Sequence, residues 1–130
     1  MPYMAMSHDQ DPKGQIHEAL GDLSAVELFQ NQIVIAIYKR PEKTKSGIIL
    51  TDSYRDEDRY QSKVGLIIKM GPEACVDPTG TWFKDIKFEL DDWVVFRPSD
   101  GWPININGVD CRVLKDEYIK MRIPYPDMVW

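Results

Sequence analysis

The residues best suited by type and spacing to do chemistry are carboxylates. Asp56, Glu57 and Asp58 run together, as do Asp91 with Asp92 and Asp116 with Glu117. Two carboxyl groups held in one cleft can act as general acid and general base. These clusters, however, lie in polar runs or directly before apolar ones, where acidic residues face solvent or close turns. The two histidines, His8 and His17, have no companion cysteine or acidic cluster at ligand spacing and no setting for a nucleophile and its base. Cys75 and Cys111 lie far apart and outside any CxxC pattern, which predicts two free thiols, buried or half-buried. Neither a glycine-rich phosphate loop nor a Gly-x-Ser-x-Gly elbow occurs. The sequence predicts no catalytic residue, no cofactor and no metal, and hence no enzyme.

A different feature stands out. Ile48, Ile49 and Leu50 sit between Lys43, Thr44, Lys45, Ser46 and Gly47 on one side and Thr51, Asp52, Arg55, Asp56, Glu57, Asp58 and Arg59 on the other. Two readings follow from the tripeptide alone. It is an edge strand of a β-structure, or it is an apolar anchor offered to a partner by a solvated loop.

Composition narrows the partner. With Lys and Arg 16, Asp and Glu 21, a net charge of −5 and a pI near 5.0, nucleic acid and anionic membrane are both disfavoured. No apolar run approaches the length of a membrane span. His8, Asp9, Asp11 and Pro12 stand where a signal peptide needs an apolar core, so the expectation is a cytosolic protein. A length of 130 residues with 43% hydrophobic content suits one domain. Trp82, Trp93, Trp102 and Trp130 could form a stacking surface, but core packing and interfaces are the commoner uses of tryptophan.

The elements that must position the tripeptide are mostly strands. Residues 1 to 14 are polar and expected to be poorly ordered. Ile16, Leu20, Leu23, Val26 and Leu28 recur at loosely helical spacing, and Ser24 to Glu27 fits a capping box, which predicts one or two short helical turns. Strands are predicted over 32–38, over 63–70 (with a bulge or close approach at Gly65) and over 91–96. Pro98 to Gly101 reads as a turn, Ile104 and Ile106 alternate with Asn105 and Asn107, and Gly108 to Asp110 reads as a tight turn. A strand over 111–114, a single helical turn over 115–119 and a terminal strand over 121–123 complete the pattern. Many short strands between turns indicate an all-β barrel or sandwich.

The order of these motifs is recognisable. The strand from Gln32 to Ile37 is followed by Lys45-Ser46-Gly47-Ile48-Ile49-Leu50-Thr51. Then come the strand from Lys63 to Ile68, Leu90-Asp91-Asp92-Trp93-Val94-Val95-Phe96, Ser99-Asp100-Gly101-Trp102 and Val113-Leu114-Lys115-Asp116-Glu117-Tyr118-Ile119. This series resembles the GroES-type co-chaperonins of the chaperonin-10 family, over roughly residues 29 to 123. Ser46 replaces the second loop glycine, Leu90-Asp91-Asp92 replaces Val-Gly-Asp, and Lys69-Met70-Gly71 keeps only the glycine of Ala-Val-Gly. Divergence of this kind, with added termini, resembles the phage-encoded members.

The resemblance implies a small GroES-like β-barrel over 29–123, with a mobile loop about 40–62 and a roof hairpin over about 71–83. An N-terminal extension over 1–28, partly disordered or short helix, and a tail over 124–130 flank it. It implies no enzyme activity of its own, a cytoplasmic location, and a homo-oligomeric, sevenfold ring that caps a GroEL-type chaperonin during ATP-dependent folding. Ile48, Ile49 and Leu50 match the tripeptide that docks in the apical groove of the chaperonin, Gly47 matches the loop glycine and Thr51 closes the motif. The first and terminal strands match the edges that join neighbouring subunits. The rival reading is a structural protein, such as a virion decoration or connector subunit, that reuses the barrel. A small cupin-like enzyme lacks the necessary histidines.

Overall fold

The computed structural model describes residues 11–39, 49, 62–75 and 88–129. Helix α1 spans Pro12–Leu20, and six strands follow: β1 Gln32–Ile37, β2 Val64–Met70, β3 Trp93–Phe96, β4 Trp102–Ile106, β5 Val109–Lys115 and β6 Ile119–Ile123. Short 3₁₀ turns at Pro98–Asp100 and Asp116–Tyr118 connect β3 to β4 and β5 to β6. All strand pairs are antiparallel, in the order β4-β5-β1-β2-β3-β6. The predicted all-β class therefore holds. Of the roof hairpin expected over about 71–83, residues 71–75 are described and form a turn, and the rest lies outside the described residues.

The central strands β1, β2 and β3 are buried on both faces, while the edge strands β4 and β6 are largely exposed. Val34, Ala36, Tyr38, Leu66, Trp93 and Cys111 pack with Leu20 of α1 on one side, while Ile33, Ile35, Ile37, Ile67, Val94 and Phe96 pack on the other. Hence β1 reads as a continuous Ile/Val run and not as an alternating one. The β1–β2 register shifts between Val34 and Ile35, so the bulged residue of β2 is Ile68. Gly65 is instead a close approach: a Cβ there would lie 3.0 Å from the Ala36 carbonyl oxygen.

Three local expectations are corrected. The helix begins at Pro12, inside the stretch expected to be unordered. The Asp11 side chain accepts from the Lys13 N–H, Pro12 supplies a preset φ, and Gly21 (φ 72°) ends the helix. In place of helix, Ser24 and Ala25 form a turn closed by the Val26 N–H on the Leu23 carbonyl, because the Asp22 carboxylate takes both the Ser24 N–H (2.9 Å) and its hydroxyl (3.0 Å). Those two bonds compete with a helical start and hold the Asp22 carboxyl below its usual range. The hairpin turn is Asn107-Gly108, with φ 50° and 87°, so Val109 and Asp110 already belong to β5. This is the two-residue turn whose positive φ values favour Asn-Gly, and the Asn105 side chain accepts the Gly108 N–H at 2.9 Å.

The edge assignment implied by the resemblance also changes. β1 pairs with β2 on one side and β5 on the other, so it offers no free edge. Among the described residues the sheet edges are β4 and β6, and only the terminal strand of the expected pair lies at one of them.

Candidate functional site

The insertion that carries the predicted tripeptide leaves the sheet after β1 and returns at β2. Its two roots are tied to each other: the Tyr38 N–H donates to the Val64 carbonyl at 3.0 Å. On the return side Ser62 is buried, and its hydroxyl donates to the Val64 carbonyl (3.2 Å) and receives the Val64 N–H (3.4 Å). On the outgoing side Tyr38 is 2% exposed, and its ring meets Trp93 edge-on at 5.7 Å. A phenol locked among Leu20, Val64 and Trp93 gives the insertion a rigid base. Lys39 closes the base with an ion pair to Asp110 on β5.

Of the five residues predicted to contact a partner, Ile49 is described. It lies in a single-residue β bridge outside the six strands, and it is 66% exposed. Gly47, Ile48, Leu50 and Thr51 lie outside the described residues. Trp93 is a core residue, whereas Trp102 on edge strand β4 is 73% exposed. Trp82 and Trp130 are not described.

Among the described residues, Asp91, Asp92 and Asp116 are engaged in structural contacts, and Asp56, Glu57 and Asp58 lie outside the described residues. Asp116, only 3% exposed, accepts the Cys75 N–H at 2.7 Å and the Asn31 side-chain amide at 3.1 Å. Asp92 accepts the Glu89 N–H at 2.9 Å and closes the turn before β3, while Asp91 pairs with His17 of α1. Among the described residues no three His, Cys, Asp or Glu side chains group as metal ligands, and no helix is long and apolar enough to cross a membrane. Burial pushes the Cys111 thiol up to about 12, so it is a packing group and not a nucleophile.

Sequence reasoning missed α1 as a neighbour of this site. Its buried Leu20 shares a cluster with Tyr38, and the Asn107 side-chain amide donates to the Leu20 carbonyl at 2.6 Å. The signal was present as Asp11-Pro12, an N-cap followed by proline. It was hidden by the polarity of Lys13, Gly14 and Gln15.

Comparison with known proteins agrees with this architecture. The family model described as Chaperonin 10 Kd subunit matches residues 25–123, ending at the last residue of β6. The chain is 28% identical over 89 residues to Co-chaperonin GroES of Clostridium botulinum, covering 68% of this chain and 87% of that protein. It is 28% identical over 92 residues to Co-chaperonin GroES of Clostridioides difficile, with 69% and 88% covered. For Co-chaperonin GroES of Hyphomonas neptunium the identity is 29% over 91 residues, with 70% and 88% covered. With three quarters of its length inside one family model, from the turn before β1 to the end of the sheet, the chain belongs to the chaperonin 10 kDa subunit family.

Proposed function

We propose that this chain is a co-chaperonin, one subunit of a ring that caps a GroEL-type chaperonin in the cytoplasm. It docks through Gly47, Ile48, Ile49, Leu50 and Thr51, and assists ATP-dependent folding without an active site of its own. The observation that carries the reading is Ile49, a large aliphatic side chain 66% exposed on an insertion with rigid roots, in a chain of this family. In the sequence the tripeptide is a contiguous apolar run flanked by charged residues, the pattern of an anchor offered to a partner.

The energetics suit a reversible lid. Burying three aliphatic side chains contributes roughly 4–9 kcal/mol. Ordering the surrounding backbone costs on the order of 1 kcal/mol per residue, so a single insertion binds weakly. A sevenfold ring multiplies such contacts into a useful avidity and still lets the lid leave when the chaperonin changes nucleotide state.

The test is binding of the purified chain to a bacterial double-ring chaperonin with and without ATP. Nucleotide-dependent binding that disappears in Ile49→Asp is the expected result. A well-folded ring that fails to bind with either nucleotide state would favour a structural protein built on the same fold.

A further inference from the structure

The family match begins at residue 25, yet α1 lies before it and is built into the core. Its contacts converge on one place. Leu20 is buried in the same cluster as Tyr38, the last core residue before the insertion. The Leu20 carbonyl accepts from Asn107 in the β4–β5 turn, three residues before Asp110. Asp110 in turn pairs with Lys39, the first residue beyond Tyr38. The helix, the hairpin and the root of the insertion thus form a closed triangle of contacts. Between them lies a cleft of about 220 Å³, lined by Pro12, Ile16 and Ala19 of α1, by Tyr38 and Lys39 of the root, and by Val109 of the hairpin.

We propose that α1 and the Lys39–Asp110 pair act as a clamp that sets the direction and stiffness of the docking insertion at its root. This inference rests on the docking reading given above. Physically, a segment whose base is fixed has fewer orientations to lose on binding, so a tight root raises affinity without touching the partner. The polar half of the clamp is partly exposed, with side chains of Lys39 and Asp110 43% and 25% accessible. It is consequently easy to loosen without emptying the core. Lys39, Asp110 and Asn107 are positioning residues, and none of them needs to contact the chaperonin.

The variants are Lys39→Ala, Asp110→Ala and Asn107→Gly. The last keeps a residue that tolerates the positive φ of 50° while removing the bond to α1. A Lys39→Asp, Asp110→Lys double variant restores the pair with its charges exchanged. Two readouts are taken on the full chain: affinity for a bacterial double-ring chaperonin with ATP, and amide hydrogen exchange at residues 37–39 of the free protein. Each single variant is expected to lose about fivefold in affinity and to exchange about fivefold faster at the root, at unchanged thermal midpoint. The exchanged pair is expected to recover both. Wild-type affinity in all three single variants would overturn the clamp while leaving docking intact. If the wild-type chain binds no chaperonin, the docking reading fails, and the exchange data decide the clamp alone: unchanged protection at 37–39 overturns it, and faster exchange with recovery in the swap sustains it.

Discussion

Asn31, just before β1, and Lys39, just after it, each reach a carboxylate from the β5 region, but in opposite surroundings. Asn31 bonds to Asp116, which is 3% exposed and also accepts the Cys75 N–H, so three distant segments meet at one buried group. The Asp116 N–H returns to the Asn31 carbonyl at 3.1 Å. Lys39 pairs with Asp110 where solvent reaches both, beside a cleft and a helix held partly by the exposed His17–Asp91 pair. Buried hydrogen bonds are expensive to break, because the abandoned partner stays unsolvated. Exposed ion pairs are screened and typically contribute about 1 kcal/mol or less. One end of β1 is therefore held by a buried hub. At the other, beyond the rigid base at Tyr38, the exposed Lys39–Asp110 pair is adjustable at low cost in stability, and that pair stands where the insertion leaves the sheet.

The largest expected effect breaks the fixed end. Gly71 donates its N–H to the Gln32 carbonyl, and a Cβ at this position would stand 2.3 Å from the Gln30 carbonyl oxygen. That neighbour is backbone and cannot step aside. Gly71→Ala should cost about 3 kcal/mol or prevent folding, read by urea unfolding. A loss under about 0.5 kcal/mol would show that this packing is looser than described.

Next comes Asp116→Ala, which leaves the Cys75 N–H and the Asn31 amide without their acceptor. A loss of about 2–3 kcal/mol is expected, with a smaller loss in Asp116→Asn, which keeps one carbonyl oxygen. Equal losses in the two variants would mean that the charge, and not the acceptor geometry, holds the hub. On the helix that covers the opposite end, His17→Ala, which breaks the exposed pair with Asp91, should cost about 0.5 kcal/mol by the same measurement. If it costs as much as Asp116→Ala, the contrast between the two ends of β1 is wrong.

How much of this was legible in the sequence follows the same division. Strands β1, β2 and β3 are β-branched or aromatic runs bounded by Gly, Pro and Asp, so their existence needed no tertiary information. Ile49 was legible because apolar residues among charges are conspicuous wherever they fold. The Asp116 hub was not, since only the strand order brings Asn31 and Cys75 to it. From sequence, Asp116 and Glu117 looked like one more solvated acidic pair. The Asn107-Gly108 turn was shifted onto Gly108 to Asp110 because glycine was weighted over the Asn-Gly pair that permits positive φ at both positions. Helix α1 was displaced because its hydrophobic side reduces to Ile16 and Leu20, too few to outline a helix unless the N-cap at Asp11 is read first.

The two cysteines allow the smallest effects to be assigned to one end or the other. Cys75 belongs to the fixed end, through its backbone bond to Asp116, and is half-buried. Cys111 is buried opposite Ala36, in the cluster that α1 covers. With its thiol pushed up to about 12 by burial, Cys111 stays protonated at pH 8, so alkylation in the folded chain requires opening. The sign of its pH linkage follows from burial raising the thiol above its ordinary 9.0. The stability it contributes is intact below pH 9 and is lost as pH rises from there toward 12, because the unfolded chain ionises first. At pH 8, iodoacetamide should therefore label Cys75 well before Cys111. Asn107→Gly, which detaches the hairpin from α1, should speed labelling of Cys111 by a few-fold and leave Cys75 unchanged, while Asp116→Asn should do the reverse. If both variants speed both thiols equally, the ends of β1 open together, and loosening at the insertion root cannot be separated from loss of the fold.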